Sequence, residues 1–234
     1  MELEAALLVH DADAYIDPEL RRRGDAHLQA VRARSPRMFD GPVLVLDRIE
    51  GDVIHAVRGS YFDMVATCDS LAIHPELRAY AEQLAAPDPL RNGHGRAAAI
   101  GVTVVVVHEG RFTLGRRAPD LALEPGRWHV VGSGVVDAAG LMGTIADELA
   151  GEHGIEELPE MRLIGLDFDY GRLRPELAVM TEDVGYIGPP PSGDEFTEFR
   201  EVFLDPDALT QLSGLELTPA AIGAIAALER ELRG

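Results

Sequence analysis

Ala146-Asp147-Glu148-Leu149-Ala150-Gly151-Glu152-His153-Gly154-Ile155 reads as the last turns of a helix stopped by a glycine. Residues four apart on a helix share a face, so Glu148 and Glu152 present their oxygens to one point in space. Two such anions repel unless a cation lies between them, and hard divalent ions such as Mg²⁺ are held by carboxylate oxygens. The plain alternative is a solvated helix face in an acidic protein. Ile145 and Leu149 supply the apolar stripe of the same helix. The two glutamates flank that stripe, which puts them at the mouth of a cleft rather than on the far solvent side.

Working outward, residues 141–153 form this helix, preceded by a short strand at 128–131 that ends in Gly132-Ser133-Gly134. Strands at 101–108 and 111–115 flank Glu109-Gly110 and are expected to pair as a hairpin. Downstream come strands at 163–168 and 177–184, a Pro/Gly loop at 189–193 and a strand at 196–204. Thr218-Pro219 caps a final alanine-rich helix. On the amino-terminal side, Asp17-Pro18 opens a helix to about residue 34, and 41–49 pairs with 53–58 around Glu50-Gly51-Asp52. Residues 61–70 and 75–85 are helical. Residues 86–96 hold two prolines, two glycines, Asn92 and His94, which marks a boundary. The expected division is an α/β lobe over 1–96 and a second domain over 97–234. The fold class is α/β of the α+β type, a mixed sheet with helices on its faces.

Composition narrows the chemistry. The 234 residues are 46% hydrophobic, enough to bury a sizeable core, and the net charge of −19 argues against extended nucleic-acid binding. A small phosphorylated ligand stays open, because a cation can mediate its contact. The single Cys68 forms no internal disulfide, fits a reducing compartment and is best read as a buried thiol. No signal peptide is seen, and the valine-rich run 102–107 is too short to span a bilayer. A cytoplasmic protein without a membrane partner is expected.

Residues 132–155 resemble the Nudix box, G-x5-E-x7-R-E-U-x-E-E-x-G-U with U aliphatic. The match keeps Glu148, Leu149, Glu152, Gly154 and Ile155. Leu114-Gly115-Arg116-Arg117 and Glu124-Pro125-Gly126-Arg127-Trp128 resemble the approach to that box. Gly193-Asp194-Glu195-Phe196-Thr197-Glu198-Phe199-Arg200 resembles the late Nudix loop and strand. On the Met38-Phe39-Asp40-Gly41 segment alone, the first lobe is similar to the subgroup of UDP-sugar diphosphatases. The box is degenerate. Asp147 replaces its arginine, Gly151 replaces the first glutamate of its pair, the early glutamate falls at Ala138 or Ala139, and strict counting puts Ser133 at the opening glycine.

The resemblance implies a Nudix-like mixed sheet between helices and a metal-dependent hydrolase of a nucleoside diphosphate linked to another moiety, such as a nucleotide-sugar. Glu148 and Glu152 would be catalytic and would hold Mg²⁺ or Mn²⁺, which lowers the pKa of water and neutralises phosphoryl charge. Glu195, after a Pro/Gly loop, is the candidate base or third ligand; Glu198 competes with it. Strand alternation sends Arg116 and Arg117 to opposite faces, and Arg117 is the candidate phosphate clamp. The amides around Gly132 can approach a phosphate. His129 and His153 lack partners at zinc-ligand spacing. Trp128 and Tyr61 are read as core, with Tyr61 also able to cover a substrate. Gly151 is either a frayed helix end or a lost third carboxylate. Two other readings remain: a Nudix-fold protein that binds a nucleotide or works in biosynthesis without hydrolysis, and an interaction or homodimer module built on the last helix and first lobe.

Overall fold

The computed structural model of the chain describes residues 7–182 and 195–233, which form a mixed α+β fold. The last two positions of the strand expected at 177–184, the loop expected at 189–193 and the Gly193-Asp194 part of the late motif lie outside the described residues.

Local signals set the first elements. Asp17 accepts from the Leu20 amide at 2.8 Å and Pro18 opens α1 (Pro18–Arg34), since a capping carboxylate satisfies an orphan amide of the first turn. The hairpin β2 (Pro42–Glu50) and β3 (Val53–Ser60) turns at Gly51, whose φ is 59°. β1 (Leu7–Asp13) runs parallel to β3 at the sheet edge. It went unread as a strand because its side chains are mostly exposed and give no alternation. α2 (Tyr61–Thr67), a short 3-10 turn at Asp69–Ala72 and α3 (Pro75–Leu84) complete this part.

The sheet that carries the site has the order β7-β4-β9-β8. β4 (Gly101–Val107) and β9 (Arg174–Glu182) are parallel at its centre; β7 (Ser133–Val135) and β8 (Met161–Asp169) flank them antiparallel. Every residue of β4 is buried, as a strand covered on both faces requires. Val102, Val104 and Val106 share a core with Ile145 and Leu149 of α4 (Gly140–His153). Val105 and Val107 share another with Ala221, Ala224 and Leu228 of α6 (Pro219–Arg233). The expected mixed sheet between helices is this one. The alanine face of α6 is spent on that core.

A second, antiparallel sheet has the order β10-β5-β6, from β5 (Arg111–Arg117), β6 (Trp128–Val130) and β10 (Phe196–Phe203). The expected hairpin between 101–108 and 111–115 is corrected here. Only His108 and Arg111 bridge, after which β4 and β5 enter different sheets. Glu109 and Gly110, with φ 48° and 70°, give a tight turn that looks like a hairpin locally. β4 is apolar on both faces and is taken as a central strand, so the turn becomes a corner between sheets. α5 (Pro206–Gln211), capped by Asp205, had not been anticipated.

One core runs across position 97. Leu28, Val31, Val43 and Val45 cluster with Val102, Ile145 and Leu149. Backbone bonds stitch the same seam, Leu44 N–H to Val136 O at 2.8 Å and Ile100 N–H to Leu44 O at 3.0 Å. Among the described residues no helix is long and apolar enough to cross a membrane.

Candidate active site

α4 holds its glutamates in place through its buried stripe. Ile145 and Leu149 are fully buried, each contributing about 1.5–3 kcal/mol, and this fixes the rotation of the helix. The helix runs unbroken through Gly151 to His153 and stops at Gly154, left-handed at φ 68°. The Gly154 and Ile155 amides close the end on the Ala150 and Leu149 carbonyls. Gly151 is therefore a helical residue, exposed, and not the start of fraying.

The strand beside the helix is cut away to receive the carboxylates. A Cβ at Gly134 on β7 would stand 2.0 Å from Glu148 Oε1, so only glycine admits that approach. The Gly132 amide, expected to approach a phosphate, instead donates to Glu152 Oε2. Gly132 itself has φ 97°, a conformation L side chains rarely adopt.

A cavity of about 670 Å³ opens where the two sheets part, and Glu148, Arg117 and Glu195 line it together. Arg117 Nη1 donates to Glu195 Oε1 at 2.7 Å, and Arg117 Nε reaches the Leu123 carbonyl. Alternation along β5 sends Arg116 outward, where it lies 3.6 Å from the exposed Glu198. Glu152 sits one turn beyond Glu148, tied to Gly132; neither Gly132 nor Glu152 is in the cavity wall. Asp147 is exposed. The first lobe supplies part of the lining through Met38, Phe39 and Tyr61.

Burial and crowding disfavour charge on both glutamates. Burial, with the Glu195 charge behind it, pushes Glu148 up to about 7, while Arg117 opposes the rise. Burial and the neighbouring Glu148 raise Glu152 in the same direction. Carboxylates that resist ionising side by side suit a cation between them. Among the described residues no three carboxylate, imidazole or thiol groups are grouped to hold one ion. A pair of hard oxygen donors fits Mg²⁺, which keeps several waters and takes further ligands from substrate phosphates.

His129 is buried, with Nδ1 2.6 Å from Thr218 Oγ1, and burial drives its pKa well down, so it stays neutral. Burial also pushes the Cys68 thiol up to about 11, consistent with an inert structural thiol. Trp128 is half-buried against the α6 core.

The charged residues at the β8–β9 turn were not singled out in the sequence. Arg172 donates to Asp69 Oδ1 and Asp169 Oδ2, both at 2.8 Å, and to Glu124, and Asp69 in turn lies 2.6 Å from His27 Nε2. Arg174 donates to Glu176 Oε1 at 2.5 Å. The available signal was a charge at every second position, 172, 174 and 176; strand alternation puts Arg174 and Glu176 of β9 on one face, while Arg172 sits in the turn before it.

No family model matches the chain, and no curated protein matches it. Among solved structures it is similar to the MutT protein of Methanosarcina mazei Go1, with 22% identity, TM-score 0.45, and coverage of 58% of this chain and 96% of that one. It is similar to a MutT NUDIX hydrolase of Burkholderia pseudomallei at 24% identity and TM-score 0.41, covering 55% and 96%. It is also similar to the NUDIX domain of Shewanella oneidensis NrtR, solved with ADP ribose, at 14% identity and TM-score 0.44, covering 58% and 90%.

Proposed function

We propose that the chain is a Nudix-type, metal-dependent hydrolase of a nucleoside diphosphate linked to another moiety, a nucleotide-sugar being the leading class. One observation carries the reading: a carboxylate of raised pKa, an arginine and a second carboxylate line one cavity beside a further half-buried glutamate. Glu148 and Glu152 are the residues to hold Mg²⁺ or Mn²⁺, which when bound neutralises phosphoryl charge and acidifies an attacking water. Arg117 binds the non-bridging oxygens of the diphosphate. Glu195 accepts the proton of the water as its oxygen bonds to phosphorus, and the bridging P–O bond breaks, releasing a phosphate-terminated product. Gly132 and Gly134 position the two metal-binding carboxylates. The wall from the first lobe keeps bulk water from the reacting groups.

A second reading, nucleotide binding without hydrolysis, is favoured by position 151, where a glycine replaces a carboxylate of the box. The two are separated by product formation from a panel of nucleotide-sugars and dinucleotides with Mg²⁺, with Mn²⁺ and with chelator. Cleavage abolished by chelator supports the hydrolase. Binding without product in folded protein supports the second reading.

A further inference from the structure

Arg172 in the turn before β9, and Arg174 and Glu176 on one face of β9, differ in how completely they are partnered. Arg172 spends its guanidinium on three carboxylates. The Arg174–Glu176 pair is left open. Glu176 Oε1 accepts from Arg174, but no described residue donates to Oε2, and Arg174 Nε is buried with no partner among the described residues. Both residues line the cavity, and the Glu176 side chain is only 7% exposed. Burying an ion pair is costly unless its remaining donor and acceptor positions are also satisfied.

The fold makes room for this pair. Gly101 faces Glu176 across the β4–β9 ladder, and a Cβ there would stand 1.8 Å from Oε2. Thr103 and Ser133 lie on the same sheet face, their hydroxyls 3.1 Å apart, and both line the cavity. The polar groups that this sheet face offers beside the carboxylate are the Arg174 guanidinium and the two hydroxyls, and all of them line the cavity. A sugar hydroxyl needs an acceptor for its proton and a donor for its oxygen, and a carboxylate beside a guanidinium supplies both.

We propose that Glu176 and Arg174 form a specificity subsite for neighbouring hydroxyls of the ligand, the carboxylate accepting from them and the guanidinium donating to a hydroxyl oxygen. The assignment rests on the diphosphatase reading only in that Glu148 and Arg117 line the same cavity, so the diol and the diphosphate belong to one molecule. Two sources share this chemistry, the ribose of the nucleoside and a sugar on the distal phosphate.

The test uses UDP-glucose and ADP-ribose, each beside a dideoxy form lacking the nucleoside ribose hydroxyls and one lacking the hydroxyls of the distal sugar. With wild type, one dideoxy change should lower kcat/KM at least about 100-fold, because a buried group built to bond a hydroxyl is left unpaired. A loss on the ribose arm assigns the ribose; a loss on the distal arm assigns the sugar. Glu176→Gln should shrink that penalty and act on KM with kcat nearly unchanged, and Gly101→Ala, which displaces the carboxylate, should do the same. No penalty on either arm overturns the proposal, as does a penalty undiminished in Glu176→Gln or a preference for one base that Glu176→Gln abolishes. Calorimetric titration of wild type with the same compounds needs neither turnover nor a folded variant. Diol-dependent binding without cleavage keeps the subsite and defeats the hydrolase reading; cleavage without diol dependence does the reverse. Failure of both parent compounds to bind overturns the subsite.

Discussion

Arg117 and Glu195 are bound to each other at 2.7 Å across the cavity wall. The group best suited to grip a phosphate and the group best suited to take a proton are thus each other's partner until a ligand arrives. Under the proposed function, a phosphate that captures Arg117 would release Glu195. Replacing Glu195 with Gln should lower kcat about 100-fold or more, the usual scale for a general base. Stability should barely move, because Glu195 is 40% exposed and such a pair is worth about 1 kcal/mol or less. Arg117→Met should act chiefly on KM. Steady-state kinetics beside thermal melts read all three; full turnover in Glu195→Gln would place the base elsewhere.

Glu148 makes a prediction about pH. Its carboxyl titrates at 4.5 in an ordinary setting and about 7 in the folded protein. The native state therefore holds this proton more tightly than the unfolded chain does. Stability from this group is full below about pH 4.5 and falls as pH rises through about 7, by about 3 kcal/mol in all. Glu152, raised by the same burial and by Glu148, carries the fall to higher pH. Urea midpoints measured in chelator across this window should decline, and Glu148→Gln should flatten the decline. Mg²⁺ competes with these protons, so it should stabilise the protein more at alkaline than at acid pH.

Gly134 and Gly132 should behave differently although they are two residues apart. At Gly134 the three atoms nearest an alanine Cβ all belong to the Glu148 side chain, from Oε1 at 2.0 Å to Cγ at 3.3 Å. The carboxylate can swing aside, so Gly134→Ala should lose metal-dependent turnover while costing about 1 kcal/mol or less of stability. At Gly132 the backbone has φ 97° and the new Cβ lies 2.8 Å from the Val104 carbonyl oxygen. Backbone strain there should cost about 1–3 kcal/mol. Melting temperature and Mg²⁺-dependent rate, measured on both variants, separate a displaced ligand from a strained strand.

The parts legible in the sequence were those set by short-range rules. The Asp17-Pro18 cap, the Glu50-Gly51-Asp52 turn and the apolar stripe of α4 each depend on residues within one or two turns, and the structure bears each out. The corner at Glu109-Gly110 escaped because a turn does not reveal which sheet each strand will join. Glu148 and Arg117 could be named from their motif, but Arg117's hold on Glu195 joins residues 78 apart in sequence. The Arg172 network was invisible for the same reason, since Arg172 and Asp69 are 103 residues apart. Charges at strand ends read as solvated until packing buries them.

That network ties the first lobe to the sheet, and its loss should be felt as instability. Asp69 comes from the first lobe, whereas Asp169 and Arg172 sit at the β8–β9 turn. Arg172→Met leaves Asp69 and Asp169 buried without their shared cation, while the half-buried Glu124 keeps Arg127. Breaking a buried ion pair from one side costs about 3–5 kcal/mol. Chemical denaturation should show a loss of this size. A loss below about 1 kcal/mol would mean that water reaches the carboxylates and solvates them.

Position 151 separates a structural account of the degenerate box from a chemical one. Gly151 lies inside α4, is exposed, and a Cβ built there meets nothing within 4 Å. Gly151→Ala should therefore add about 1 kcal/mol of stability through helix propensity alone and leave turnover unchanged. Gly151→Glu gains most of the same propensity and also puts a carboxylate one residue before Glu152. If the glycine weakens metal binding, Gly151→Glu should lower the Mg²⁺ concentration for half-maximal activity by up to about tenfold, equivalent to about 1.4 kcal/mol, where Gly151→Ala does not. Equal behaviour of the two variants would show that the Glu148–Glu152 pair carries the metal unaided. The glycine would then be a tolerated cost to the helix and no defect in the site.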